Sequence, residues 1–142
     1  MIYCFGLLAM SLIMPGQKLP RPGHMLTGDT YHLRPAGSAV NVAIAARRAG
    51  ANDVALCAAV GQDDFGAKLL AHLQTQKLNL TDVTTQTGAT ALLHAAVQKG
   101  GKTLASLAIG AASAVRADTL IAKIQEGDHV MADVMANVPQ SY

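Results

Sequence analysis

The chain has no tryptophan, only two phenylalanines and three tyrosines in 142 residues, and just 14% of its residues are charged. So few rings exclude a stacking platform for single-stranded nucleic acid, which needs aromatic faces for successive bases. The low charge, set against 51% hydrophobic residues, excludes a solvated disordered chain. A net charge of +2 gives no basic footprint, and Arg47-Arg48, the sole basic doublet, reads as solvated charge at a helix end. Nucleic acid is therefore not an expected partner.

Cysteine is equally scarce. Cys4 and Cys57 lie far apart, each in an apolar run, which suits two buried free thiols in a reducing cytoplasm rather than a disulfide or a metal pair. The five histidines, at 24, 32, 72, 94 and 129, form no H-x-x-x-H pattern and no cluster with cysteine, so no metal site is expected. The apolar run from Met1 to Met14 is too short to span a bilayer. Met1 to Met14 is almost wholly apolar, but no Lys or Arg precedes that run and no small-x-small cleavage pattern precedes Pro15, so it does not read as a secretory signal. A buried first strand over Ile2-Tyr3-Cys4-Phe5, ended by Gly6, accounts for it better. A cytoplasmic protein without a membrane partner is the expectation.

What is present suits one compact domain, rich in alanine for helices packed closely on a sheet. Gly6 to Ser11 is expected to lead out of the first strand. Pro15-Gly16, Pro20, Pro22-Gly23 and Pro35 punctuate an extended polar segment, and His24 to Leu33 is read as two short strands around Thr27-Gly28-Asp29. Gly37 permits a sharp turn and Ser38 is the expected cap of a helix over residues 39–49, with Arg47 and Arg48 in its last turn and Gly50 as its stop. Val54 to Val60 is an apolar run of the kind buried on both faces of a parallel sheet. Asp63 or Asp64 caps a second helix, where Phe65, Leu69, Leu70 and Leu73 recur at helical spacing. That place before a helix makes capping a better reading of the two aspartates than acid–base catalysis. Thr90 to Val97 and Thr103 to Ile109 read as the arms of a hairpin turned at Gly100-Gly101. Both arms are apolar at successive positions, so they are expected to cover a ligand or a partner subunit. Ala117 to Gln125 reads as helix, and His129 to Met135 as a buried strand. The order of strands and helices implies an α/β architecture.

Three blocks stand out: Ala36-Gly37-Ser38-Ala39-Val40-Asn41-x-Ala43, then Gly50, then Gly61-x-Asp63-x-Phe65-Gly66. In this order they resemble the N-terminal half of the ribokinase or PfkB family of carbohydrate kinases, with Gly110-Ala111 falling where members carry a Gly-Ala pair. The resemblance covers essentially the whole chain. It implies a ribokinase-like α/β fold, a mostly parallel sheet flanked by helices with a small β lid, of which residues 1–142 are a partial domain. The lid segments would be about 16–35 and 90–109. It implies an ATP-dependent transfer of the γ-phosphoryl group to a hydroxyl of a sugar or nucleoside, with ATP and Mg2+ as cofactors bound mostly outside this chain. A homodimer through the β lid is a further implied partner. The substrate-binding residues carried over are Ser11, Ala36, Gly37, Ser38, Asn41 and Asn137. Small residues at 36 and 37 let backbone groups approach a polyol, and the Asn41 amide offers one acceptor and two donors to paired hydroxyls.

The chain also departs from the family. Ala36 stands where a glycine is usual, and Ser11 and Asn137 fall where members carry substrate-gripping acids, with a loss of about 1 to 2 kcal/mol per charge-assisted bond. The interval from Gly50 to Gly61 is one residue longer than the common spacing. The family's Gly-x-Gly-Asp, which supplies the catalytic base, does not occur in the sequence, nor does a P-loop or G-x-G-x-x-G. No catalytic residue is therefore assigned. Two expectations follow: the sugar-binding portion of a kinase, or a truncated, catalytically inactive homologue that at most binds a polyol or pairs with another subunit.

Overall fold

The computed structural model describes residues 1–133. Two apolar runs become inner strands, because only a sheet covered on both faces hides side chains pointing both ways. Strand β1 (Ile2–Phe5) pairs in parallel with β4 (Val54–Gly61) on one side and with β8 (His129–Ala132) on the other. Strand β5 (Val83–Gln86) adds to the far side of β4, giving a parallel sheet in the order β5-β4-β1-β8.

Two helices cover one face. Helix α1 (Ser38–Arg48) contributes Ala39, Val40 and Ala43, and α2 (Asp64–Thr75) contributes Leu69 and Leu73, to a core with Cys4, Val54, Leu56, Ala58 and Val60. Leu69 and Leu73 are both 0% exposed, each burial contributing about 1.5–3 kcal/mol. Phe65 and Leu70, from the same apolar stripe, are half-buried at its margin. The other face, with Tyr3, Phe5, Ala55, Cys57 and Ala59, packs against Val115 and Leu120.

A second sheet is built from β2 (Ala9–Gly16), β3 (His32–Ala36), β6 (Ala91–Gln98) and β7 (Thr103–Ala108), in the order β3-β2-β6-β7. Strands β2 and β6 are parallel, and the outer pairs are antiparallel. The hairpin turns where expected: Gly100 and Gly101 have φ of +97° and +89°, the left-handed backbone that such a tight turn needs.

The structure differs from the sequence reading at several points. Ala9 to Ser11 does not merely lead away from β1; a long strand begins at Ala9, soon after Gly6 turns the chain with φ +149°. Residues 24–31 hold no strand, and only His32–Ala36 pairs. The β2 edge that the segment could join is taken by β3, and residues 21–25 are left exposed. The last helix, α3, runs only from Ala117 to Ile121, because Ile121 and Ile124 find nothing to bury against and are 66% and 38% exposed. Strand β8 ends at Ala132, and residues 134–135 of the stretch expected to reach Met135 lie outside the described residues.

Candidate functional site

The junction of the two sheets lies where β1 ends, β2 begins and β3 runs into α1. Gly37 sits in that junction with φ +119°, and a Cβ built on it would lie 1.9 Å from the carbonyl oxygen of Leu7. No other residue fits there. Gly37, not Ser38, is therefore the N-cap of α1; Ser38 is the first helical residue, is exposed, and its hydroxyl makes no capping hydrogen bond. The expected Ser38 cap is corrected by this close approach, which moves the helix start back by one residue.

Register brings three of the sequence-derived residues together. Ala9 pairs with Ala36 and Ser11 with Arg34 across β2 and β3, so Ser11 and Ala36 share one sheet face, immediately before Gly37. Ser11 also lies opposite Leu93, which lies opposite Leu107. Ser11 is 3% exposed, one of the few buried polar residues. The neighbouring part of the face is filled by Leu7, Ala9, Ala91 and Ala112, with Ala36, Leu107 and Ile109 packed on them.

Asn41 lies in the first turn of α1, which follows Gly37. Its N–H closes the first helical bond, to Gly37 O at 3.1 Å, and its side chain lines an open groove with Arg34, Pro35, Ile44, Arg48 and His72. Asn137 lies outside the described residues.

The Gly61-x-Asp63-x-Phe65-Gly66 block is a joint between the two sheets. Asp63 caps α2 through Oδ1, which accepts from Gly66 N–H at 2.8 Å and from the Thr90 hydroxyl at 2.6 Å, while Oδ2 accepts from Thr90 N–H at 2.8 Å. The Thr90 hydroxyl oxygen in turn accepts from Gly61 N–H at 3.0 Å. Burial alone would raise the Asp63 carboxyl, but the bonds donated by Thr90 and by backbone N–H groups outweigh it and hold it below the ordinary carboxylate range. Asp63 is thus the expected cap, and it fastens α2 to the first residue before β6. The glycines of the block admit no side chain: a Cβ on Gly61 or Gly66 would lie 2.3 Å from a backbone carbonyl oxygen.

Both cysteines are free and buried, as expected, and belong to the two opposite-face clusters. Burial first, then the nearby Asp82, pushes the Cys57 thiol up to about 11, which makes it a poor nucleophile. Among the described residues no three His, Cys, Asp or Glu side chains gather to hold a metal ion, and no helix is long and apolar enough to cross a membrane. Nor do the described helix N-termini fit a nucleotide phosphate. The α2 terminus is filled by the Asp63 carboxylate and that of α1 backs onto the Leu7 carbonyl.

The sequence reading passed over two features. Asp133, at the end of β8, is 8% exposed, with its Cβ 2.4 Å from where a Gly6 Cβ would be, and its N–H bonds to Phe5 O at 2.8 Å. A lone acid within an apolar run was the available signal. Arg34 and His72 each sit among unremarkable neighbours in sequence and meet only through tertiary packing.

Comparison with known proteins gives a consistent picture. The model of the pfkB family of carbohydrate kinases matches residues 1–141. The ribokinase of Lactococcus lactis subsp. lactis (strain IL1403) is 29% identical over 80 residues, 56% of this chain but 27% of that protein. The nucleoside kinase of Methanocaldococcus jannaschii, an archaeal member of the ribokinase family, superposes with a TM-score of 0.74 at 18% identity, over 99% of this chain and 54% of that one. The ribokinase of Arabidopsis thaliana complexed with ribose and ATP gives 0.67 at 16%, over 78% and 36%. Likeness at such identity shows the fold alone. The chain spans about a quarter of the length of the curated ribokinase it matches.

Proposed function

The chain belongs to the pfkB family of carbohydrate kinases, and on that premise we propose that it forms the acceptor-side portion of an ATP-dependent sugar or nucleoside kinase. The observation that carries this reading is the register of β2 and β3, by which Ser11 and Ala36 share a face directly before the unsubstitutable Gly37. An acceptor sugar lies against that face. The Ser11 hydroxyl hydrogen-bonds one sugar hydroxyl, and the small side chain at 36 and the bare Cα at 37 let backbone groups approach another. Asn41, one turn into α1, binds the far side of the sugar, and Ser38 and Asn137 contribute hydroxyl and amide contacts. Ser11 is almost fully buried, so the sugar enters when the lid sheet swings about the Asp63–Thr90 joint and is shut off from water when it returns. The family's ATP and Mg2+ supply the phosphoryl group and neutralise its charge. That half of the reaction belongs to residues other than those described.

The related Arabidopsis protein was captured with ribose and ATP and the Methanocaldococcus protein is a nucleoside kinase, which favours these two acceptor classes. A cytoplasmic location and pairing of two chains through the lid complete the proposal. Leu33 and Leu104, 38% and 50% exposed on the lid strands, are the apolar surface such pairing would cover.

A second reading has its own support: the acceptor face holds an uncharged hydroxyl at Ser11 rather than a carboxylate, which suits a homologue that binds a polyol without phosphorylating it. A panel assay with labelled ATP, Mg2+ and sugars or nucleosides, run on the longest product of the reading frame, separates the two. Transfer of label to a hydroxyl supports the kinase, whereas sugar binding without transfer overturns it in favour of the binding homologue.

A further inference from the structure

The groove between α1, α2 and the end of β3 brings Arg34, Asn41, Arg48 and His72 around about 790 Å³ of open space. No residue lining it is acidic. Neither arginine belongs to an ion pair among the described residues, where the carboxylates of Asp82, Asp118 and Asp128 are taken by Lys123, Arg116 and the N-terminus. The adjacent Arg47 shows what a structural arginine does here: it donates to the carbonyls of Ala51 and Asn52 and ties down the loop after α1. Arg48 has only a long 3.4 Å contact to Gln76 Oε1. Arg34 lies on the edge strand opposite Ser11, and its side chain turns into the groove beside Pro35.

A single exposed arginine on an edge strand is an ordinary guard against aggregation. Two guanidinium forks in one concavity, joined by an amide and an imidazole that both carry N–H donors, form an anion receptor. We infer that this groove binds a phosphate group, either inorganic phosphate or the phosphate of a small phosphorylated molecule. The last turns of α1 and α2, carrying Arg48 and His72, both line it, so the negative ends of the helix dipoles oppose an anion there and the side chains must supply all of the attraction. The inference does not depend on phosphoryl transfer by the chain. Its position does matter, because Arg34 joins the groove to Ser11, and a phosphorylated sugar could occupy both.

Nuclear magnetic resonance titration of the 142-residue chain with inorganic phosphate, at ionic strength held constant with chloride, tests this. Saturable shifts of the Asn41 side-chain amide and the His72 ring are expected, with affinity falling about tenfold or more in Arg34→Gln and Arg48→Gln, each of which removes one charge-assisted pair. Both side chains are exposed, and an unchanged amide fingerprint elsewhere would show that each variant is folded. A second arm uses ribose 5-phosphate. Tighter binding than inorganic phosphate, with the Ser11 amide also shifting, assigns the anion to a phosphorylated acceptor; equal binding confined to the groove assigns it to free phosphate. Shifts that do not saturate, or that persist unchanged in both variants, overturn the inference.

Discussion

The two ends of α2 satisfy their polar groups in opposite ways. At the N-terminal end, Asp63 engages Gly66 and Thr90 with both carboxylate oxygens, Gly61 donates to the Thr90 hydroxyl, and the glycines leave no room for another atom. At the C-terminal end, His72 opens onto a groove whose arginines have no acidic partner among the lining residues. A polar cluster closed on itself holds structure, and one left open is available to a ligand. The Gly61 to Gly66 block, one of the blocks that resemble the family, belongs to the closed kind: it joins the two sheets.

Substitutions that disturb a close backbone approach or the Asp63–Thr90 joint should cost stability more than phosphate binding in the groove. The largest loss is expected at Gly37, where alanine would drive a Cβ into the Leu7 carbonyl and hold a positive φ. Gly37→Ala should lower unfolding free energy by about 4 kcal/mol in urea titration. Asp63→Ala comes next, at about 2–3 kcal/mol, because a helix cap and charge-assisted bonds to Thr90 disappear together. With Thr90→Val the loss should be strongly non-additive in a double-mutant cycle; simple additivity would mean the joint does not act as a unit.

The pH dependence gives a smaller effect. The Asp63 carboxyl titrates below its unfolded value, so the stability it contributes is complete above about pH 4 and is lost as pH falls through the lower folded value. Thermal unfolding of the wild type should fall off more steeply below pH 4 than that of Asp63→Asn, and identical profiles would remove the carboxylate from the joint. On the open side the order reverses: Arg34→Gln and Arg48→Gln should weaken phosphate binding while changing stability by no more than about 0.5 kcal/mol.

Much of the fold was legible in the sequence for reasons visible in these elements. Val54–Gly61 could only be an inner parallel strand, and the Leu69/Leu73 stripe and Asp63 fixed α2. Gly100-Gly101 set the hairpin. The failures arose where a distant neighbour decided the outcome. Ser38 has the right side chain for a cap, but the Leu7 carbonyl claims the position for Gly37. Residues 24–31 have turn and strand signals but no free edge to join. The candidate site came from the resemblance as a set of residues, and their spatial arrangement could not be read from the sequence. Pairing register unites Ser11 with Ala36. Helical geometry carries Asn41 to the groove with Arg34 and Arg48.

The proposed acceptor-sugar surface is the face carrying Ser11, Ala36 and Gly37. Titration of the chain with neutral pentoses, hexoses and nucleosides, followed at backbone amides, tests it most directly. At least one of them is expected to shift the amides of Ser11, Ala36 and Gly37 saturably, and Ser11→Ala to weaken this binding severalfold at unchanged stability. Shifts in none of the panel, or shifts confined to residues away from this face, would contradict it.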